Sequence, residues 1–281
     1  MAPRDRAAAA LIALAALLPV SQAGLAHGYA GDRYFPPTID IDDPFAAAES
    51  HVHAGKRPGD PERSSVIGAG FGLEPVDGFG IGLDTAHRSP NPNLSPAKDG
   101  FDNAILTLKK ELVIDDAHEY AITAALVTEV GGTGSEGASG HSTFAPTLFY
   151  AKGFGDLPDR LRLLRPFAVT GVLAAELPTD AARPKMLNWG FTVQYSLLYL
   201  QSHVGAFGLS APFDRLVAVV EFPVKTCLDR GCSGQTSGTW NPGVVWVGKG
   251  FNLAFEAVQP LNSRSGSGTG FLVQFQKFFA Q

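Results

Sequence analysis

Apolar and polar residues alternate one by one through long stretches of this chain. The clearest run is 187–197, where Leu187, Trp189, Phe191, Val193, Tyr195 and Leu197 share one face and Asn188, Gly190, Thr192, Gln194 and Ser196 the other. A period of two puts successive side chains on opposite sides of a β-strand. The pattern returns with Ala104, Leu106, Leu108 and Leu112 against Thr107, Lys109 and Glu111, and with Tyr120, Ile122, Ala124 and Leu126 against Glu119, Thr123 and Glu129. It returns again with Phe251, Leu253, Phe255 and Ala257 against Asn252 and Glu256, and with Phe271, Val273, Phe275 and Phe279 against Gln274 and Gln276. Strands are predicted at 48–56, 64–72, 77–84, 101–114, 118–130, 143–153, 161–177, 187–201, 214–224, 238–249, 251–260 and 268–279.

One two-faced strand does not separate a soluble sandwich from a membrane barrel, because each has one apolar and one polar face. Three features of the set favour the barrel. The apolar faces are rich in aromatic residues towards strand ends, where a bilayer interface would lie. Several strands reach the roughly 9–11 residues that cross a bilayer at a tilt. Connections also alternate between short (75–76, 115–117, 153–160, 249–250) and long (85–100, 131–142, 178–186, 225–237, 262–267), with 202–213 breaking the rule. Short periplasmic turns and longer outer loops are the outer-membrane arrangement. Parity then requires the weakly alternating 48–56 to be a strand, so that both chain ends lie in the periplasm. The expected fold is all-β: a single antiparallel transmembrane β-barrel of about 12 strands (10–14). The terminal strand, with alternating aromatics finishing near Phe279, resembles the assembly signal of outer-membrane proteins.

Composition agrees with this picture. Hydrophobic residues make up 45% and charged residues 17%, with 32 Gly, 20 Pro and 19 Phe, yet after residue 26 no apolar run approaches the roughly 20 residues of a spanning helix. A net charge of −5, with no basic stripe, argues against a nucleic-acid partner. The basic start Arg4 and Arg6, the apolar run 7–20 and Gly24-Leu25-Ala26 have the layout of a secretory signal peptide over 1–26. The expected domains are therefore the signal, an extended N-terminal periplasmic segment at 27–47, and the barrel at 48–281. The 27–47 segment is expected in the periplasmic mouth as a partial plug. Export places Cys227 and Cys232 in an oxidising compartment, where a small loop disulfide is the expected state.

Catalytic signatures are missing. Gly-x-Ser-x-Gly spacing occurs only in Gly/Ser loops, and those loops lack the strand–helix setting and Lys-Ser/Thr of a phosphate loop. No enzyme activity and no cofactor are expected. Glu49-Ser-His51-Val-His53 puts two imidazoles and a carboxylate on one strand face, and cleavage after Ala26 would free His27 at a new terminus; these are weak metal candidates, and a solvated polar face is the plainer reading. The candidate solute path is Lys109, Glu111, Glu119, Glu129, Gln194, Glu221, Glu256, Gln274 and Gln276, with Glu176 beside them. Charged groups are tolerated inside a barrel and not on its lipid face. Acidic groups outnumber basic ones there, which would favour cations; equally, the charges could pair across strands and fill the bore.

The stretches Ala26-His-Gly-Tyr-Ala-Gly-Asp-Arg-Tyr-Phe-Pro-Pro, Asp42-Asp-Pro-Phe and Gly100-Phe-Asp-Asn, the last followed by Leu-Lys-Lys-Glu, resemble a proteobacterial group of outer-membrane barrels: transporters grouped with the phenol meta-degradation outer-membrane proteins. That resemblance implies an outer-membrane barrel passing small hydrophobic molecules and brings no functional residues with it. The expected function is passage or binding of a small hydrophobic or cationic molecule through a polar lumen in the outer membrane of a Gram-negative cell. Expected partners are the lipid bilayer and the outer-membrane assembly machinery. Two alternatives stand beside it: a non-conducting structural or surface-loop barrel, and a soluble exported lipocalin-like binder.

Overall fold

The computed structural model describes residues 28–58, 65–89, 99–135 and 138–279; the expected signal at 1–26, and His27, lie outside them. Two residue pairs, β1 (Tyr29–Ala30) and β2 (Arg33–Tyr34), form a small ribbon. Then come β3 (Glu49–Lys56), β4 (Ser65–Val76), β5 (Phe79–Ser89), the short β6 (Gly100–Phe101), β7 (Ile105–Asp115), β8 (Tyr120–Glu129), β9 (Thr143–Gly153) and β10 (Phe167–Pro178). The series ends with β11 (Met186–Ser196), β12 (Leu216–Cys227), β13 (Thr236–Val247), β14 (Phe251–Pro260) and β15 (Gly270–Phe278). Without β1, β2 and β6 these are twelve long strands, each antiparallel to its neighbour in sequence. The last pairs with the first, from Phe271 opposite Lys56 to Phe278 opposite Glu49. The sheet is a closed barrel and has no free edge.

Closure settles which face is which. Leu83, Leu106, Leu173, Leu253, Phe255 and Phe271 stay exposed on the outside, while Thr192, Gln194, Glu221, Asn241 and Glu256 are fully or almost fully buried within. A soluble protein would be inverted, since burying Leu and Phe is what drives its folding. An apolar exterior on a closed sheet is the solution for lipid, where each backbone polar group must be paired internally. In β7 a bulge between Glu111 and Val113 shifts the register, so Leu112 and Val113 are both exposed. Among the described residues no helix is long and apolar enough to cross a membrane.

All twelve expected strands are present, with shifted bounds. The strand expected at 64–72 runs on to Val76, that at 77–84 to Ser89, and the one expected from 101 begins at Ile105 after the short β6. Two further corrections fall at one rim. The strand expected to begin at 161 begins at Phe167: residues Asp159–Leu164 form a 3-10 turn bracketed by Pro158 and Pro166, and Pro166 has no amide hydrogen to extend a ladder. The strand expected to reach 201 stops at Ser196, whose side chain accepts from Tyr199 N and caps the helical turn Leu197–Tyr199, which runs on into Leu200–Val204; serine at this position favours a helix start over a continued strand. These two connections share the rim with both ends of the barrel and its tight turns, the periplasmic rim of such a barrel.

Candidate functional site

Residues 28–48 run inside the barrel and fill the periplasmic half of the lumen. Entry is fixed at Arg33, which is 1% exposed. Its Nε donates to Glu119 Oε2 at 3.2 Å and its Nη1 to Pro166 O at 3.1 Å, and Nη2 donates to Arg165 O. The guanidinium lies 3.6 Å from the centre of the Tyr199 ring, a cation–π contact. Glu119 also accepts from Tyr199 Oη at 2.9 Å and from Gly155 N at 2.9 Å. It adopts φ 50°, in the left-handed region that non-glycine residues avoid, and this turns its carboxylate inward. Gly31 N donates to Asp116 Oδ1, tying the ribbon to the β7–β8 turn.

From there the chain climbs and folds back. Gln194 Nε2 donates to Pro36 O at 3.2 Å, and the Thr38 and Thr192 hydroxyls are 3.2 Å apart. The amides of residues 39–41 point at two carboxylates on β12 and β14: Ile39 N donates to Glu256 Oε1 at 3.4 Å, and Ile41 N to Glu221 Oε1 at 2.9 Å. Asp40, at the crest, accepts from both guanidinium arms of Arg57 and from Asn241 Nδ2 at 2.9 Å. On the way back Lys109 Nζ pairs with Asp42 Oδ2 at 2.6 Å and donates to Asp43 O at 3.0 Å and Phe45 O at 3.3 Å. Thr123 Oγ1 donates to Pro44 O, and Ala46 N to Glu111 Oε1 at 2.8 Å. Strand-free backbone inside a barrel needs such partners, because an unpaired buried amide or carbonyl is expensive.

Apolar packing completes the seal. Phe35 and Phe45, with ring centres 5.9 Å apart, sit with Ala30 against the inward-facing Ala121, Ala151 and Ala168. Across the bore Tyr34 and Ile39 pack on Val217, Val219, Val245, Val247 and Ala254. The lumen is thus not polar throughout, as expected from alternation; its periplasmic half is lined by small apolar residues that receive the segment.

Above the segment the lumen is open. A cavity of about 390 Å³ is bounded below by Asp40, Asp42 and Phe45. One wall is polar, with His51, His53, Asp84, Gln274 and Gln276, and the opposite wall is built from Val127, Ala145, Phe149, Val172 and Ala174. A wider space of about 810 Å³ continues outward past Arg57, Arg88, Asp102, Lys225 and Arg264. Gly68 and Gly70 of β4 leave room for the two imidazoles: a Cβ at 68 would collide with the His53 ring, and one at 70 with His51 and Asp84.

The structure therefore divides the expected path. Lys109, Glu111, Glu119, Gln194, Glu221 and Glu256 bind the N-terminal segment. Gln274 and Gln276 line the cavity, as does Lys109 from its floor; Gln276 Nε2 donates to Glu49 Oε2 at 2.7 Å. Glu176 also lines the cavity and pairs with Lys225, whereas Glu129 accepts from Asn103 Nδ2 at the outer end of β8. His51 and His53 do share a face, with ring centres 5.9 Å apart, but among the described residues no group of three or more His, Cys, Asp or Glu is placed to hold a metal ion. Cys227 and Cys232 form the expected disulfide at the outer end of β12. Sequence reasoning missed Arg33, Asp40, Arg57, Asp84, Tyr199 and Asn241; an isolated arginine and four aspartates in a segment otherwise rich in Phe, Pro and Ile were the available signal.

No family model matches the sequence, and no curated protein matches it. Among solved structures, the chain is similar to the KdgM porin (11% identity over 82% of this chain and 99% of that one, TM-score 0.50) and to the NanC porin (8% identity, 83% and 100%, TM-score 0.52). It is also similar to the COG4313 outer membrane channel from Pseudomonas putida F1 (12% identity, 87% and 100%, TM-score 0.53). At such identities the likeness is one of fold. Together with the closed twelve-strand sheet and its apolar exterior, it makes this chain an outer-membrane β-barrel.

Proposed function

We propose that the barrel passes a small solute across the outer membrane, and that residues 28–48 form a closure that must shift for passage to be completed. The observation that carries this reading is a pair of adjoining lumen cavities on the outer side of the segment. They share Asp40, His53, Asp84 and Asn188 in their linings, and the inner one is bounded by Asp40, Asp42 and Phe45 of the segment. Solved barrels of this fold described as porins and as a channel support it, one of them a porin in complex with oligogalacturonate.

The walls suggest what fits. A solute with an apolar body and a hydrogen-bonding or cationic group would meet Val127, Phe149 and Val172 on one side and His51, Asp84 and Gln274 on the other. Around the inner cavity Asp40, Asp42 and Glu176 are paired with Arg57, Lys109 and Lys225 respectively. This leaves Asp84 and Glu49 as its carboxylates without an Arg or Lys partner among the described residues, and these would favour cations over anions there. Catalysis has no part in this proposal. Planar-bilayer recordings of the refolded protein test it: the expected result is small conductance above an empty bilayer, with cation preference, and a silent protein would discard transport. A sealed structural barrel is the second reading, favoured by the hydrogen bonds from the amides of residues 39–41 and 46 to barrel carboxylates, and it predicts silence with the segment free or locked.

A further inference from the structure

Two connections at the periplasmic rim are longer than a barrel turn needs, and their composition is unusual. In Asp159–Leu164 no side chain is buried, and the exposed ones include Leu161, Leu163 and Leu164. The helical turn at Leu200–Val204 touches this turn, and its connection adds Phe207 and Phe213, 48% and 57% exposed. Five large apolar side chains from two adjoining loops are thus partly exposed among the described residues, and exposed apolar surface of this kind marks an interaction site.

Three observations identify the occupant. First, the 3-10 turn continues the lipid-facing surface: the outward-facing Tyr195 donates from Oη to Leu163 O at 3.2 Å, and Tyr195 packs edge-on against Phe167 with ring centres 4.7 Å apart. Tyrosine and phenylalanine at this depth belong to the aromatic belt at the headgroup level. Second, the turn is held rigid, since Arg165 donates from Nε to Leu157 O at 2.6 Å and pairs with Asp159 at 2.9 Å. Third, Arg160 and Arg162 alternate with the leucines and, among the described residues, form no ion pair, while the nearby Asp159 and Asp156 are taken by Arg165 and Lys152. Leucines beside uncompensated arginines in the interface plane fit an anionic lipid surface, with the apolar side chains among acyl chains and the guanidiniums on phosphates.

We propose that Leu161, Leu163, Leu164, Phe207, Arg160 and Arg162 form a docking site for anionic glycerophospholipid of the periplasmic leaflet, anchoring the β9–β10 and β11–β12 connections to the membrane. The site sits directly beneath Arg33, whose guanidinium is held by Arg165 O and Tyr199 of these same connections.

The test uses the full-length protein in nanodiscs of phosphatidylcholine with or without phosphatidylglycerol. The two cysteines are joined to each other, so Leu163→Cys and Phe207→Cys can each carry a single spin label. Both labels are expected to be more accessible to oxygen than to a water-soluble nickel chelate, as in lipid. In native mass spectrometry the wild type is expected to prefer phosphatidylglycerol to phosphatidylcholine, by about fivefold for each arginine, and Arg160→Gln/Arg162→Gln to lose that preference while keeping its heat-modifiable gel mobility. Water-exposed labels, as a surface reserved for a protein partner would give, or an undiminished preference in the double variant, would overturn the proposal.

Discussion

The two halves of the lumen obey different rules. Its periplasmic half is packed like the core of a soluble protein: Phe35 and Phe45 on alanines, Ile39 and Tyr34 on valines, and a buried Arg33–Glu119 pair. Its outer half keeps space between a polar and an apolar wall, and its charges pair along the wall, as Arg88 with Asp102 and Lys225 with Glu176. The difference teaches that the strands do not decide whether this bore is open. One barrel wall runs through both halves, and the N-terminal segment decides, because inward-facing Ala and Val occur in both halves and only where the segment lies are they covered.

The sharpest way to break the contrast is to remove the segment. Deleting residues 28–47 should raise single-channel conductance by about tenfold or more, since a barrel of this size otherwise has an interior that only side chains and a plug can fill; unchanged conductance in a variant with normal gel mobility would mean that the outer half is blocked as well. Arg33→Ala comes next. It strands Glu119 as a buried unpaired carboxylate, a loss of about 3–5 kcal/mol, read as faster proteolysis of the segment while the barrel remains resistant. Phe35→Ala should cost about 3 kcal/mol through the cavity it leaves, with the same proteolytic readout. In the outer half a side chain of comparable interest should matter far less to stability: Asp84→Asn is expected to shift denaturant unfolding by less than about 0.5 kcal/mol, yet to lower the cation-over-anion preference measured by reversal potential. If Asp84→Asn destabilised as much as Phe35→Ala, the two halves would not differ as described.

The barrel was legible because its information is local. Leu187 to Ser196 declares a strand by alternation alone, and the two-sided requirement of lipid outside and polar groups inside repeats that code in most strands. Residues 48–56 alternate weakly and were placed only by parity; their pairing with both β4 and β15 is what closes the barrel. Legibility failed where a different local rule intervened, at the Ser196 cap and at the Pro158–Pro166 bracket. The plug contacts were beyond reach for another reason: Arg33 meets Glu119 across 86 residues and Asp40 meets Asn241 across 201, and no periodicity carries pairings of that range. Glu221 and Glu256 are buried inside the barrel, but their use as acceptors for the amides of residues 39–41 depends on where a segment without alternation goes.

The most direct test of the closure is to lock it. Thr38 and Thr192 face each other with hydroxyls 3.2 Å apart, so Thr38→Cys/Thr192→Cys should form a disulfide that fixes the segment to β11. The prediction is that oxidation abolishes the conductance of the double variant and reductant restores it, while wild type responds to neither. Equal conductance in the oxidised and reduced forms would contradict a segment that must move for solute to pass.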